Sequence, residues 1–196
     1  MTITRRSFGK MVGSGVGAMA AVGTLGMTTM GISCGSIFAD ITAYVPVGME
    51  AFQALIDILD PPVALALAPI ITAAKAAFAD LAAAVAAYNN APAANKATLV
   101  GKISTAINAV IGELQQFWSD ANLPNGGLAS TISGVLQIIL STLAAFLPLL
   151  GPAPAPAATR TVAKTLPYTS QKRTQKQFKA DVNAVLKQGG YSQVVY

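Results

Sequence analysis

Asp57 and Asp60 stand three residues apart, the nearest this chain comes to two acids on one helix face. Two carboxylates at that spacing can begin a divalent-cation site, but such a site needs a further cluster of oxygens, and none is near in the sequence. Glu50, close to a helix start, is accounted for by the helix dipole. The chain has no histidine and one cysteine, Cys34. That removes the usual general base, the usual zinc and iron ligand and every histidine-based triad. A single thiol also makes no intramolecular disulfide. Serines are plentiful, but without a histidine none qualifies as an activated nucleophile, and Asn125-Gly126-Gly127 lacks the Lys-Ser/Thr of a phosphate loop. No cofactor motif is present, so neither cofactor nor metal is expected. These residues make an enzyme the least favoured class, with a Ser–Lys dyad unsupported by any motif, and favour structural or binding work.

Charge is the remaining chemistry. The net +5 hides an asymmetry: residues 35–150 carry three lysines against seven acids, a balance of −4, while residues 151–196 carry seven basic residues against Asp181, a balance of +6. Lys172, Arg173, Lys176 and Lys179 concentrate the basic charge at the start of a C-terminal amphipathic segment. Such a face suits anionic lipid headgroups, envelope polysaccharide or an acidic partner. It also suits docking back onto the acidic body through Phe178, Val182, Val185 and Leu186. Only 11% of the chain is charged and 53% is hydrophobic, against about a quarter charged in ordinary soluble proteins.

The N-terminus carries the most specific pattern. Thr4-Arg5-Arg6-Ser7-Phe8-Gly9-Lys10 leads into Met11–Ser33, 23 residues without a charge that contain six glycines. A basic segment followed by an apolar one is the general form of an export signal. Thr4, Arg5, Arg6, Phe8 and Lys10 resemble the motif of bacterial twin-arginine (Tat) signal peptides, with Gly9 departing from it. Gly31-Ile32-Ser33-Cys34 resembles a lipobox, with Gly31 in place of the usual leucine. The resemblance implies transient engagement of the Tat export machinery and passage across the bacterial inner membrane. It further implies cleavage before Cys34 and lipid on that cysteine, holding the protein on a membrane in the periplasm or cell envelope. Nucleic acid is not an expected partner there. Two other readings stand beside it: a permanent N-terminal membrane helix, since 23 uncharged residues suffice to span, and ordinary cleavage after Ala39.

Residues 1–33 are thus read as a signal segment and 34–48 as a tether. The elements of 49–150 follow from apolar periodicity. Met49 to Leu59 is expected as a short helix ended by Asp60-Pro61-Pro62. Within Val63–Tyr88, Leu67, Ile71, Ala74, Phe78, Leu81, Val85 and Tyr88 form a heptad seam, with Pro69 kinking its start or marking its true beginning. Ala93–Asp120 carries a stripe of Leu99, Ile103, Ile107, Val110, Leu114 and Phe117, with Ser104, Asn108, Glu113 and Gln116 outward. Leu128–Leu150 is the most apolar segment, marked by a narrow polar stripe of Ser130, Gly134, Gln137 and Ser141. Residues 151–158 read as a Pro/Ala linker, and 159–196 as a basic tail whose helix runs from Thr169 or Ser170 to Gln188. The fold expected is all-α: an antiparallel bundle of about four helices plus the basic helix, with alanine-rich seams that suit homo-oligomers. Three roles remain open: an envelope-anchored structural or binding protein, a membrane-embedded subunit spanning at Leu128–Leu150, or a small carrier of an apolar ligand.

Overall fold

The computed structural model describes residues 34–123, 126–151, 164–192 and 195. The segment Thr4–Lys10 that resembles a twin-arginine motif, the apolar run behind it and most of the Pro/Ala linker lie outside the described residues. Among the described residues there are six α-helices, one 3-10 turn and no strand.

Helix α1 spans Cys34–Asp57. Residues 34–48 are therefore its first half and not a tether. Gly35, Pro46 and Gly48 read as loop punctuation, but Ile37, Phe38, Ile41, Tyr44, Val45 and Val47 recur at helical spacing and are all buried. Burying that stripe outweighs the N–H that Pro46 lacks, since each large apolar side chain contributes about 1.5–3 kcal/mol. Gly48 helps, because an added Cβ would lie 3.2 Å from the Phe78 ring.

The segment expected as one helix from Val63 divides into α2 (Pro61–Ala66) and α3 (Ala68–Asn90), with Leu67 between them. Asp60 is extended, as a residue before proline must be, and Pro69 sits in the first turn of α3, where its missing N–H costs nothing. The heptad seam lies inside: Leu67, Ile71, Ala74, Phe78, Leu81, Val85 and Tyr88 are all buried. Helix α4 (Ala93–Ala121) buries Ile103, Ile107, Val110, Leu114 and Phe117, and packs chiefly on α3. Ser104 is buried with them rather than outward. Asn122 ends α4 in the left-handed conformation that asparagine tolerates.

Helix α5 (Gly127–Phe146) continues into a 3-10 turn at Leu147–Leu149. Residues 164–173 then run without helix, and α6 (Gln175–Gln188) begins later than the sequence suggested. Its cap is Thr174, whose hydroxyl accepts from the Gln177 N–H at 3.2 Å while the Gln177 side chain accepts from the Thr174 N–H at 2.9 Å. That reciprocal capping box fixes the start. Phe178, Val182 and Leu186 of α6 are buried, and Phe178 meets Tyr44 edge-on at 5.7 Å. Tyr44 meets Phe146 in the same way at 5.4 Å, so the tail helix, α1 and α5 share one core.

Candidate functional site

Helices α1 and α3 leave a groove of about 940 Å³ between them. Thr42, Val45, Pro46, Met49, Glu50, Gln53 and Asp57 line it from α1, at spacings that select a single helix face. Lys75, Ala82, Val85, Ala86, Asn89 and Asn90 line it from α3. The floor is apolar: Val45 and Val85 are buried, and the alanines keep the α3 wall low. Polar groups stand at the two ends, with Glu50 and Gln53 on the α1 wall between them. Phe38 stacks on Tyr88 at 3.6 Å, Asn89 Nδ2 donates to Thr42 Oγ1 at 3.4 Å, and Phe52 lies 6.4 Å from Phe78. Thr42 with Asn89 and Asn90 thus forms one end, and Asp57 with Lys75 the other. The volume is at the upper end of what small-molecule pockets offer, and such lining, apolar with a few polar groups, is their common composition.

The basic tail residues are placed differently from one another. Arg173 is drawn in, its side chain only 11% exposed. Its guanidinium donates to Asp181 Oδ2 at 2.9 Å, Ser141 Oγ at 2.6 Å, Thr142 Oγ1 at 3.3 Å and Gln171 Oε1 at 2.6 Å. Arg173 is accordingly a structural clamp on α5, not part of a free anionic-surface face. Lys172 reaches Asp40 of α1 at 3.8 Å, with both side chains about half exposed. Lys176 is exposed and Lys179 half-buried. The tail docks on the body.

That docking accounts for Gly134 and Ser141 of the α5 polar stripe. An added Cβ on Gly134 would come within 2.9 Å of Val185 Cγ1, so glycine there lets α6 lie close. The Ser141 carbonyl accepts from the Gln171 N–H at 3.0 Å. Two side-chain amides hold the segment at its ends. Gln115 donates to the Leu166 carbonyl at 2.9 Å and accepts from its N–H at 2.7 Å; Asn183 accepts from the Val195 N–H at 2.9 Å and donates to its carbonyl at 3.3 Å. Sequence reasoning missed both clamps, because neither glutamine nor asparagine belongs to a motif. The one available hint was Gln115, a polar residue beside the α4 stripe.

Tyr44 sits beneath this contact with its hydroxyl buried and lacking a hydrogen-bond partner. Burial foremost, with Asp40 second, pushes its pKa from 10.0 up to about 12, and Arg173 pulls the other way. Burial also raises Tyr168.

Of the other predicted residues, Cys34 is the first residue of α1, and Thr4, Arg5, Arg6, Phe8 and Lys10 lie outside the described residues. Asp57 accepts from Gln53 Nε2 at 2.7 Å, while the Asp60 carbonyl accepts from the Ala64 N–H as α2 begins. Among the described residues no group of three or more His, Cys, Asp or Glu could hold a metal ion. Ala68–Asn90 and Gly127–Leu149 are long and apolar enough to cross a membrane by length and composition. No family model matches the chain, and no curated protein or solved structure matches it.

Proposed function

We propose that this is an exported, membrane-anchored helical protein of binding type, whose α1/α3 groove takes an apolar ligand. The groove carries the reading: a long apolar floor with a few polar groups along its walls and ends. In this reading α1, α3, α4 and α5 form an antiparallel four-helix bundle. The pairing of Phe38 with Tyr88 and of Phe52 with Phe78 supports opposite directions for α1 and α3.

Export rests on the Tat-like residues Arg5 and Arg6, and anchoring on lipid at Cys34. The partners of this reading are the Tat machinery during transport, the membrane through that lipid, and a second copy through the alanines of α3. Since α1 begins at Cys34, the Thr42 end of the groove is about 12 Å along the helix from the anchor, at ~1.5 Å per residue. A groove so placed can exchange an apolar ligand with the bilayer surface. Keeping α5 in the bundle, and not across the membrane, is supported by its polar stripe, which the C-terminal segment engages.

Titration of the mature protein with the apolar dye N-phenylnaphthylamine tests the groove. Saturable binding at one dye per chain, lost in Ala86→Trp, is expected; unsaturable binding, or binding unchanged in that variant, contradicts the reading. Intact mass tests the anchor: a diacylglyceryl adduct on an N-terminal Cys34 is expected, and an unmodified cysteine sinks it.

A further inference from the structure

Pro46 has no N–H, so the Thr42 carbonyl one turn earlier loses its α-helical partner, and both residues line the groove. The adjacent carbonyl, that of Ala43, accepts from Gln175 Nε2 of α6 at 3.4 Å. Around Thr42 the groove is rich in acceptors. Asn89 Nδ2 donates to Thr42 Oγ1 at 3.4 Å and Asn90 Nδ2 to the Ala86 carbonyl at 3.0 Å, and each amide keeps its carbonyl oxygen as an acceptor. No charged residue lines this end; the charged lining residues come later along α1 and earlier along α3.

We propose that the ligand is a single-chain amphiphile with a neutral, hydrogen-bond-donating head, of the long-chain alcohol or monoacylglycerol kind. This rests on the apolar-ligand reading of the same groove and adds the head and its orientation. The hydroxyl donates to the Thr42 carbonyl, with Asn89 and Asn90 beside it, and the chain lies along the floor toward Asp57. From Thr42 to Asp57 the floor is about 22 Å long at ~1.5 Å per residue, the reach of an extended long acyl chain. A head without a donor strips water from these oxygens and returns no hydrogen bond. An anionic head faces the Thr42 carbonyl and finds only the second N–H of each amide, and a cationic one finds no carboxylate at this end.

Competition against the bound dye, using the full mature chain, separates the possibilities. Dodecanol and dodecyl methyl ether differ in one donor. Dodecanol is expected to compete about three- to tenfold better, the worth of one net hydrogen bond. Pro46→Ala supplies the missing N–H to the Thr42 carbonyl and is expected to bring the two competitors close to equal, each measured against the dye bound to that same variant. Asn89→Val, on the exposed rim, should narrow the gap without closing it. Equal competition by alcohol and ether in the unaltered protein overturns the donor assignment and leaves the groove reading standing. So does a preference that Pro46→Ala leaves intact. Failure of both compounds to displace a saturably bound dye overturns the groove reading itself.

Discussion

Helix α5 with its 3-10 turn has a mean hydropathy of 2.0 and is 61% buried over its most apolar window, whereas α3, at 1.6, is 33% buried over its own. The difference lies in what faces outward. The α5 surface that faces the C-terminal segment is covered by residues 166–192, which hold Ser141 and insert Phe178, Val182 and Leu186 at its flank. The α3 surface is mostly alanine, whose small area costs little to expose, and the described residues leave it uncovered. One face is closed by the protein's own tail, while the other ends in a groove. Among the described residues the two faces differ less in apolar content than in whether an internal partner covers them.

Removing the tail's anchor should give the largest effect. Phe178→Ala is expected to cost about 3–5 kcal/mol in urea unfolding, because its ring is fully buried between α1 and α5. A cost below about 1 kcal/mol would mean that the tail is not part of the core and the two faces are alike.

The next contrast is among the basic residues. Arg173→Ala should cost about 2 kcal/mol, tempered by the half-exposed Asp181, and leave the Ser141 and Thr142 hydroxyls without their donor. Lys176→Ala and Lys172→Ala should each stay within about 0.5 kcal/mol, being an exposed residue and one half of an exposed ion pair. Equal effects for all three, in stability or in binding to anionic vesicles, would restore a uniform basic face.

Tyr44 sharpens the picture through pH. Its folded pKa lies above the unfolded value of 10.0, at about 12, so the folded state holds the proton more tightly. The stability it contributes is complete below pH 10 and is lost as pH rises from about 10 to about 12. Tyr44→Phe should flatten that alkaline limb, seen as unfolding free energy against pH. At neutral pH it should change stability by less than about 1 kcal/mol, since the hydroxyl has no partner to lose. Smallest of all, Ala86→Trp on the groove wall should leave stability within about 0.5 kcal/mol while it abolishes dye binding.

Much of the closed side was legible in advance. Regular 3.6-residue spacing placed α4 and the start of α5 within a residue, overran the α5 end at Phe146 by the 3-10 turn and one residue more, and gave the α3 seam in full, because burial there follows sequence periodicity. The polar stripe of α5 was visible, though not its occupant, since contacts such as Gln115 with Leu166 join residues 51 apart in sequence. The open side was largely hidden. Gly35, Pro46 and Gly48 masked the first half of α1, and with it went one whole wall of the groove. Local punctuation describes the backbone's preferences, whereas Phe38 on Tyr88 and Tyr44 between Phe146 and Phe178 supply the tertiary burial that overrides them.

The central claim, that the open α1/α3 face is where this protein binds, is tested most directly by photoaffinity mapping. A fatty alcohol carrying a diazirine in mid-chain would be irradiated with the full mature protein, and the labelled peptides located by mass spectrometry. Adducts confined to residues 42–57 and 75–90, and suppressed by excess dodecanol, are the predicted result. Adducts on α5 or the C-terminal segment, or labelling that excess dodecanol leaves unchanged, would contradict it.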